Sequence, residues 1–287
     1  MPSPAERQTT FDLPRRIERA YRTAINKIVG RVLMPKLPQE TLEQWLGKIA
    51  ERSKAEDIRE ASELLAKQMV AAADSSNQKT WRSAAAKWSG GRRLYKLLQQ
   101  ELQSTPLGAK VQTIIRENAA YISSIPLEAA QTLVDEVSKA QAAGARASTI
   151  AKMTRVRFPA LLKSRVNLIA RTEVAKASTA LTQARAEQVG ADFYEWITSE
   201  DVRVRNSHKK MNGVLCAWND PPSPEQLVGE KSMLGNYNAG SCPNCRCTSA
   251  PVLDIDDVSW PHKVHVRGAI KRMTRAEFEK QFIRKAA

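Results

Sequence analysis

The stretch EQVGADFYEWIT, residues 187–198, joins two kinds of sequence pattern. Before Gly190, apolar residues recur at helical spacing, and Pro159 suits the first turn of a helix predicted over 159–189. Gly190 suits the end of that helix, because glycine readily adopts the left-handed conformation found there. The aromatic and β-branched residues that follow, 192–198, favour a β-strand. The sequence therefore predicts a long helix that leads into a small α+β module.

Downstream of this junction, the pattern predicts short elements separated by turns. They are a capped helix over 199–213, a strand over 214–218, a long loop over 219–240 and a last strand over 248–253. Pro251 cannot donate a backbone hydrogen bond, so the last strand is predicted at a sheet edge. The chain beyond it, 256–287, is predicted to form one basic helical tail, with a capping box at Thr274 to Glu277.

The chain before the junction is predicted to be almost entirely helical. Residues 1–12 are polar and form a predicted loose arm, whereas 13–147 have the pattern of an irregular all-α domain. Its predicted helices include a Trp- and Leu-rich segment over 81–102 and two pieces, over 108–123 and 127–142, that Pro126 divides. A short helix over 149–155 is predicted to follow the domain. The predicted fold class is mainly α: an irregular helical N-terminal domain and a small α+β C-terminal module with a long helix and a few short strands.

The chain is strongly basic, with a formal net charge of +15. Such a protein tends to associate with nucleic acid, an anionic membrane or an acidic protein surface. No run of about 18 apolar residues is present, and the N-terminus lacks the apolar region of a signal peptide. We therefore expect a protein of the reducing cytoplasm without a membrane span. The candidate contacts for nucleic acid or an acidic partner lie in the tail and are Lys263, Arg267, Lys271, Arg272 and Arg275.

Three of the four cysteines lie within residues 242–247. Zinc binds four soft or borderline ligands in a tetrahedron, and a C-x-x-C turn supplies two of them. One structural zinc is therefore the candidate cofactor. Its candidate ligands are His208, Cys242, Cys245 and Cys247, with Cys216 as a substitute. Cys245 and Cys247 would point to opposite faces if both lay on a strand. Buried thiols, or a reversible disulfide between Cys216 and the cluster, stay open as other interpretations.

Catalytic uses of these residues fit the sequence poorly. Zinc deaminases need a glutamate two residues after the histidine ligand, but Lys210 stands there. A thiol redox site needs C-x-x-C at the start of a helix in a βαβ unit, whereas this one precedes a predicted strand. A ββα-type nuclease would use His262 or His265, but no surrounding constellation of Asp, Glu and His for a catalytic cation is apparent. We assign no catalytic residue and expect a protein that is not an enzyme.

Five motifs follow one another from the long helix to the cysteines. They are ARTE at 170–173, W-x-T-x-x-D-x-R-V at 196–204, H-x-x-x-x-G at 208–213, PP at 221–222 and C-P-N-C-R-C at 242–247. In this order they resemble the phage head morphogenesis domain of the Mu F-like minor head proteins, here predicted over 148–255. The resemblance singles out, as structural motif residues, Arg171, Glu173, Trp196, Asp201, Arg203 and Gly213. The first two are expected to form ion pairs on the helix surface or to brace the chain near Asp201.

This resemblance implies a structural role in the heads of tailed phages, as a minor component present in few copies at the portal vertex. The expected partners are the portal protein and/or the major capsid protein, with contact to packaged double-stranded DNA and no membrane. The expected location is inside the virion head, after assembly in the host cytoplasm. If the polar set of the family binds zinc, Arg205 stands here where some members carry a cysteine. The alternative functions are a zinc-containing DNA-binding or nuclease module, and an unrelated helical adaptor with buried cysteines.

Overall fold

The computed structural model describes Phe11 and residues 13–37, 39–87, 105–232 and 234–283. Almost all of the predicted arm over 1–12, and the part of the predicted segment over 81–102 that follows Lys87, lie outside these residues. The predicted mainly α fold with a small α+β module near the C-terminus is confirmed. Within the described part of the chain, no helix is both long enough and apolar enough to cross a membrane.

The chain forms two compact units, each assembled from separate stretches. The helical unit comprises 15–72 and 110–174, and the sheet unit comprises the described parts of 1–14, 73–109 and 175–287. Three of the four divisions fall inside long helices, and the fourth, between residues 14 and 15, lies where the first helix begins. The domain boundaries predicted from the sequence stay predictions.

Five long helices precede the sheet in the described chain. They are α1 (Arg15–Val32), α2 (Leu42–Ser53), α3 (Glu56–Lys87), α4 (Thr105–Ala142) and α5 (Ala147–Gln188). Helix α1 is amphipathic and buries Tyr21, Ile25 and Ile28 on one face. Helix α2 begins with a capping box between Thr41 and Gln44, which satisfies backbone N–H groups at its N-terminus.

Two prolines do not divide helices as the sequence analysis expected. Pro126 lies inside α4 and Pro159 lies inside α5, so the predicted breaks between 123 and 127 and between 155 and 159 are wrong. A proline inside a helix removes one backbone hydrogen bond and costs about 3 kcal/mol. Around Pro126, the fully buried Ile122, Ile125 and Ala129 offset that cost. The predicted stop at Gly190, with φ of 74°, agrees with the end of α5.

The sheet unit contains a five-stranded sheet of order β3-β1-β2-β4-β5. Its strands are β1 (Phe193–Ile197), β2 (Val214–Ala217), β3 (Thr248–Val252), β4 (His262–Val266) and β5 (Ala269–Met273). The pairs are antiparallel except β2 with β4. The strands predicted near 192–198, 214–218 and 248–253 are present, and β3 occupies an edge as Pro251 indicated. The short helix α6 (Asn206–Met211) lies between β1 and β2.

The predicted single helical tail over 256–287 is wrong for its first half. Strands β4 and β5 form a hairpin there, and the helix α7 (Arg275–Phe278) begins only after Thr274, with the predicted capping box. The hairpin forms because Val264 and Val266 alternate with polar residues along β4 and are buried. Its turn, Arg267-Gly268, has φ of 47° and 79°, as a two-residue hairpin turn requires.

Candidate metal centre

A histidine and two cysteines converge inside the sheet unit. His208 lies on α6, and its Nδ1 is 3.3 Å from Cys247 Sγ and 3.6 Å from Cys245 Sγ. The three candidate ligand atoms all lie within 4.8 Å of one another. Each of the three residues is at most 4% exposed. We call this triplet, His208, Cys245 and Cys247, the metal triplet.

The backbone before β3 brings both cysteines to the same place. A tight turn follows Cys242, with Asn244 in the left-handed region at φ of 58°, and β3 begins only at Thr248. The Cys247 N–H donates to Cys245 Sγ at 3.4 Å, so the chain curls around the Cys245 sulfur. The alternation expected of a strand therefore does not apply, and Cys245 and Cys247 both face His208.

Gly240 makes this curled segment possible. Its φ is 86°, and a Cβ atom at this position would lie 2.5 Å from Thr179 Oγ1 and 3.0 Å from the Cys247 carbonyl oxygen. Thr179 donates to the Ala239 carbonyl at 2.8 Å. The absence of a side chain at Gly240 thus lets helix α5 and the cysteine segment approach the end of the long loop.

Cys242 borders the metal triplet without joining it. Its Sγ is 3.9 Å from His208 Nε2 and accepts a hydrogen bond from Arg205 Nη1 at 3.1 Å. Arg205 also donates to the Pro243 carbonyl at 2.9 Å. Arg205 therefore holds Cys242, the first cysteine of the C-x-x-C turn, in place. Some family members are expected to carry a cysteine at the position of Arg205.

Cys216 does not belong to the metal triplet. It lies on β2, is fully buried, and its thiol faces the Val214 carbonyl at 3.7 Å. Burial raises the pKa of the Cys216 thiol well above its usual value, so this cysteine stays protonated. All four cysteines are free thiols in this structure.

The other side of the His208 ring contacts a tyrosine and, through it, a carboxylate. His208 Nε2 is 2.9 Å from Tyr237 Oη, and Tyr237 donates its hydroxyl proton to Glu225 Oε1 at 2.6 Å. The edge of Trp196, which is fully buried, packs against the imidazole with ring centroids 5.4 Å apart. The ring is therefore held on several sides before any ion binds.

The surroundings of His208 favour its protonated, positively charged form. Burial lowers the pKa of His208, but hydrogen bonds with Cys242 and Cys245 outweigh it and raise that pKa to about 9. A hydrogen bond with Cys245, together with burial, raises the pKa of Cys242. Without an ion, His208 and Cys242 therefore hold protons, and a metal cation bound to His208 would displace the proton on Nδ1.

The donor set fits zinc. With Zn–N of about 2.0–2.1 Å and Zn–S of about 2.3 Å, nitrogen and sulfur ligands of a tetrahedral site lie about 3.5 Å apart. The observed separations of 3.3 and 3.6 Å match this value. His208 Nδ1, Cys245 and Cys247 would be three ligands.

The remaining motif residues have different neighbours. Asp201 forms a two-bond ion pair with Arg246, with the shorter N–O distance at 2.6 Å, and also accepts from the Arg203 backbone N–H. This contact links the strand-to-helix step to the cysteine segment and was not predicted. The Arg203 side chain is exposed. Gly213, with φ of 71°, donates its backbone N–H to the Trp196 carbonyl.

The ARTE residues lie in the helical unit. Arg171 Nε is 3.7 Å from Glu18 Oε1, which is an ion pair between α5 and α1. Glu173 is 3% exposed, and its charge contributes, after burial, to the raised pKa of Tyr21. The expected ion pair on the helix surface is therefore present for Arg171.

Three of the predicted basic contacts line one cavity. Arg267, Lys271 and Arg272, with Lys280, border a cavity of about 890 Å³ beside the β4–β5 hairpin, where Asp220 and Glu277 also lie. Lys263 stands across the hairpin from Arg272. Arg275 is instead engaged in ion pairs with Asp256 and Glu279.

The two histidines considered for a nuclease have separate neighbours. His262 Nδ1 lies 3.2 Å from the Ser259 carbonyl. His265 is buried, with its Nδ1 3.7 Å from Asp220 and its Nε2 accepting from the Gly268 backbone N–H. Burial lowers the pKa of His265. In the described chain, the group that could hold a metal is the metal triplet, to which neither histidine belongs.

Fold and site together define a mainly helical protein with a small α+β module closed around a buried His–Cys cluster. Residues 131–250 match the sequence model of the family described as Phage Mu protein F like protein. This match confirms the predicted resemblance and assigns the segment to the Mu F-like phage head morphogenesis family.

One relative is also similar over a longer part of the chain. An uncharacterized protein of Haemophilus influenzae (strain ATCC 51907 / DSM 11121 / KW20 / Rd) is 28% identical over 186 residues. The match covers 64% of this chain but only 39% of that relative. No solved structure matches this chain. The comparisons therefore relate the protein to phage heads in general terms.

Proposed function

We propose that this protein is a structural minor component of a tailed-phage head, acting in head assembly at or near the portal vertex. The observation that carries this proposal is the Mu F-like match over residues 131–250. Most of the motifs behind the resemblance come together in the sheet unit: Trp196 packs on His208, and Asp201 pairs with Arg246. They therefore maintain one folded module, as a structural role requires.

A structural rather than enzymatic role is also part of the proposal. The cavity beside the metal triplet has a volume of about 60 Å³, and one water occupies about 30 Å³ in the liquid. Such a cavity admits water but no substrate of ordinary size. Because His208, Cys245 and Cys247 are buried behind it, the site is suited to holding the chain together.

The proposed partners are the portal protein and/or the major capsid protein, together with packaged double-stranded DNA. The net charge of +15 supports an acidic partner. The exposed side chains of Arg267, Lys271 and Arg272 concentrate part of that charge at one end of the sheet. Contacts of this kind with phosphates give a binding affinity that falls steeply with salt.

We propose in addition that the module carries one structural zinc at the metal triplet. The separations of its ligand atoms and the nitrogen and sulfur donor set support this assignment. The ion would stabilise the module by linking α6 to the segment before β3. A nuclease role is less well supported, because His262 and His265 are engaged elsewhere.

The head role is tested by purifying heads assembled with this protein and counting its copies by quantitative mass spectrometry. We expect a few copies per head that co-purify with the portal ring. A soluble protein that is absent from heads would overturn the proposal.

A charge-reversal comparison tests the DNA contact. Replacing Arg267, Lys271 and Arg272 by Glu should lower the salt dependence of DNA binding by about one unit per residue. The matched control reverses three exposed cations of the helical unit, Lys152, Arg155 and Lys163, and so changes the net charge equally. Equal effects of the two sets would contradict a contact at the hairpin.

A further inference from the structure

The hydrogen bonds behind His208 determine which of its nitrogens is free to bind a metal. Tyr237 donates its only hydroxyl proton to Glu225 Oε1 at 2.6 Å. Its oxygen can then only accept from His208 Nε2, at 2.9 Å, so that nitrogen carries the ring proton. In the neutral ring that a metal ion requires, Nδ1 therefore keeps its lone pair, and Nδ1 is the atom that faces Cys245 and Cys247.

This arrangement has the form of the outer shell of a metal site. Histidine ligands usually donate their second N–H to a carboxylate, a backbone carbonyl or water, and this fixes the tautomer and the ring orientation. Here the acceptor is the Tyr237 oxygen, which is itself hydrogen-bonded to the Glu225 carboxylate. The side chain of Glu225 is 13% exposed, and its second oxygen accepts from Ser232 at 3.4 Å. A carboxylate at this position can therefore hold the tyrosine while staying in contact with solvent.

Both outer residues belong to the long loop over 219–240. Tyr237 is anchored to the start of the loop, because its backbone N–H donates to the Pro222 carbonyl at 2.9 Å. Glu225 and Ser232 lie on the intervening chain. An ion at the metal triplet would thus be connected, through His208, to Tyr237, and through Tyr237 to Glu225 and Pro222. All three residues belong to a loop that contains few apolar residues.

We propose that Tyr237 and Glu225 are positioning residues that fix His208 as an Nδ1 ligand of zinc and couple zinc binding to closure of the 219–240 loop. This inference rests on the proposed structural zinc and is independent of the phage-head role. Neither residue touches the ion in this arrangement: both act through the imidazole.

The test compares two tyrosine variants in a competition assay between the protein and a chromophoric zinc chelator. Tyr237→Phe removes the hydroxyl that accepts from His208, and we expect zinc affinity to fall about 10- to 100-fold with the stoichiometry unchanged at excess zinc. The control, Tyr194→Phe, removes a hydroxyl that contacts Asn238 in the same core cluster. It should leave the affinity within about 2-fold of the wild type.

A second variant and a second measurement keep the proposal testable if Tyr237→Phe fails to fold. Glu225→Gln leaves the tyrosine in place but removes the carboxylate, and it should also weaken zinc binding, unlike Glu230→Gln on the exposed part of the same loop. In the wild-type protein, removing zinc should increase amide hydrogen exchange within 219–240.

The outcomes separate the two proposals. Wild-type affinity for zinc in both Tyr237→Phe and Glu225→Gln, or unchanged exchange of the loop on zinc removal, would overturn the positioning role alone. Less than about a tenth of an equivalent of zinc in the folded wild-type protein would overturn the zinc proposal together with it. Neither result would affect the expected presence of the protein in heads.

Discussion

The two faces of strand β1 are packed by different means. On one face, Tyr194 and Trp196 belong to the core cluster that contains the cysteines, and Trp196 also packs on His208. On the other face, Phe193 packs against Phe278 and Phe282, with ring centroids 4.9 and 5.2 Å apart. One strand thus separates a core that includes sulfur and imidazole atoms from a core of aromatic and aliphatic side chains.

This difference indicates how each face responds to change. Buried sulfur and imidazole atoms need partners, so the site face depends on an ion and on precise hydrogen bonds. The aromatic face depends on area and shape, which are lost gradually as rings are removed. The stability of the site face should therefore depend on which atoms are present, and the stability of the aromatic face on how much volume its side chains fill.

The largest effect is expected from removing one ligand of the metal triplet. Cys245→Ser should reduce bound zinc from about one per chain to less than about a tenth. With free zinc at about 1,000 times the dissociation constant, this loss corresponds to about 4 kcal/mol of stability. Elemental analysis and thermal unfolding measure the two effects.

Cys216→Ser is the matched control, since it makes the same change at a buried cysteine outside the triplet. It should keep one zinc per chain. Loss of zinc in both variants, or in neither, would contradict the ligand assignment.

The aromatic face should lose stability without losing zinc. Phe278 is fully buried and contacts Phe193, Trp260 and Phe282. Phe278→Ala should lower the free energy of unfolding by about 3–4 kcal/mol, through lost burial and the cavity left behind. Phe282→Ala, at a half-buried ring, should cost less. Denaturant unfolding gives these values, and a zinc stoichiometry that falls in Phe278→Ala would show that the two faces are not independent.

The next largest loss of stability is expected at Gly240, on the site face, where the backbone packs closely against its neighbours. Gly240→Ala combines a left-handed φ with a clash against Thr179 and the Cys247 carbonyl, and should destabilise by about 3 kcal/mol. Gly229 has a similar φ of 77° but open space around it, so Gly229→Ala should show only the conformational cost, about 1–2 kcal/mol. Equal losses of stability in the two variants would rule out a close approach at Gly240.

The smallest effect concerns the ion pair between Asp201 and Arg246. The Arg203 backbone N–H, together with the Arg246 guanidinium, lowers the pKa of Asp201. The contribution of ionised Asp201 to the free energy of unfolding is therefore present above the ordinary aspartate pKa of about 3.9. It is lost as pH falls through the lower pKa of Asp201 in the folded state. In metal-free protein, Asp201→Asn should be less stable than the wild type at pH 7 and should lose less stability on acidification. Parallel acid unfolding curves for the two proteins would contradict this role.

Much of the sheet unit could be predicted from local sequence. The Gly190 stop, the strand-forming residues after it and the edge position of Pro251 each follow from the conformational limits of those residues. The hairpin of β4 and β5 was not predicted, because the capping box at Thr274 to Glu277 indicates a helix and the prediction extended that helix over the whole tail. Its signal was present in HKVHV followed by Arg267-Gly268, an alternating pattern next to a turn.

The metal triplet was predicted only in part. Its residue types and the C-x-x-C spacing identified His208 and the cysteines, but spacing alone favoured Cys242 over Cys247. The curl at Asn244 reverses that order, and a positive φ at an asparagine is not visible as such in a sequence. Tyr237, Glu225 and the Arg205–Cys242 contact gave no sequence signal, because they meet His208 and Cys242 through folding of the long loop.

The direct test of the head assignment is the position of this protein in assembled heads. Electron cryomicroscopy of purified heads, or immunogold labelling of an epitope-tagged chain, should find a few copies inside the shell at the portal vertex. Heads that form normally and contain none of this protein would contradict a role as a minor head component.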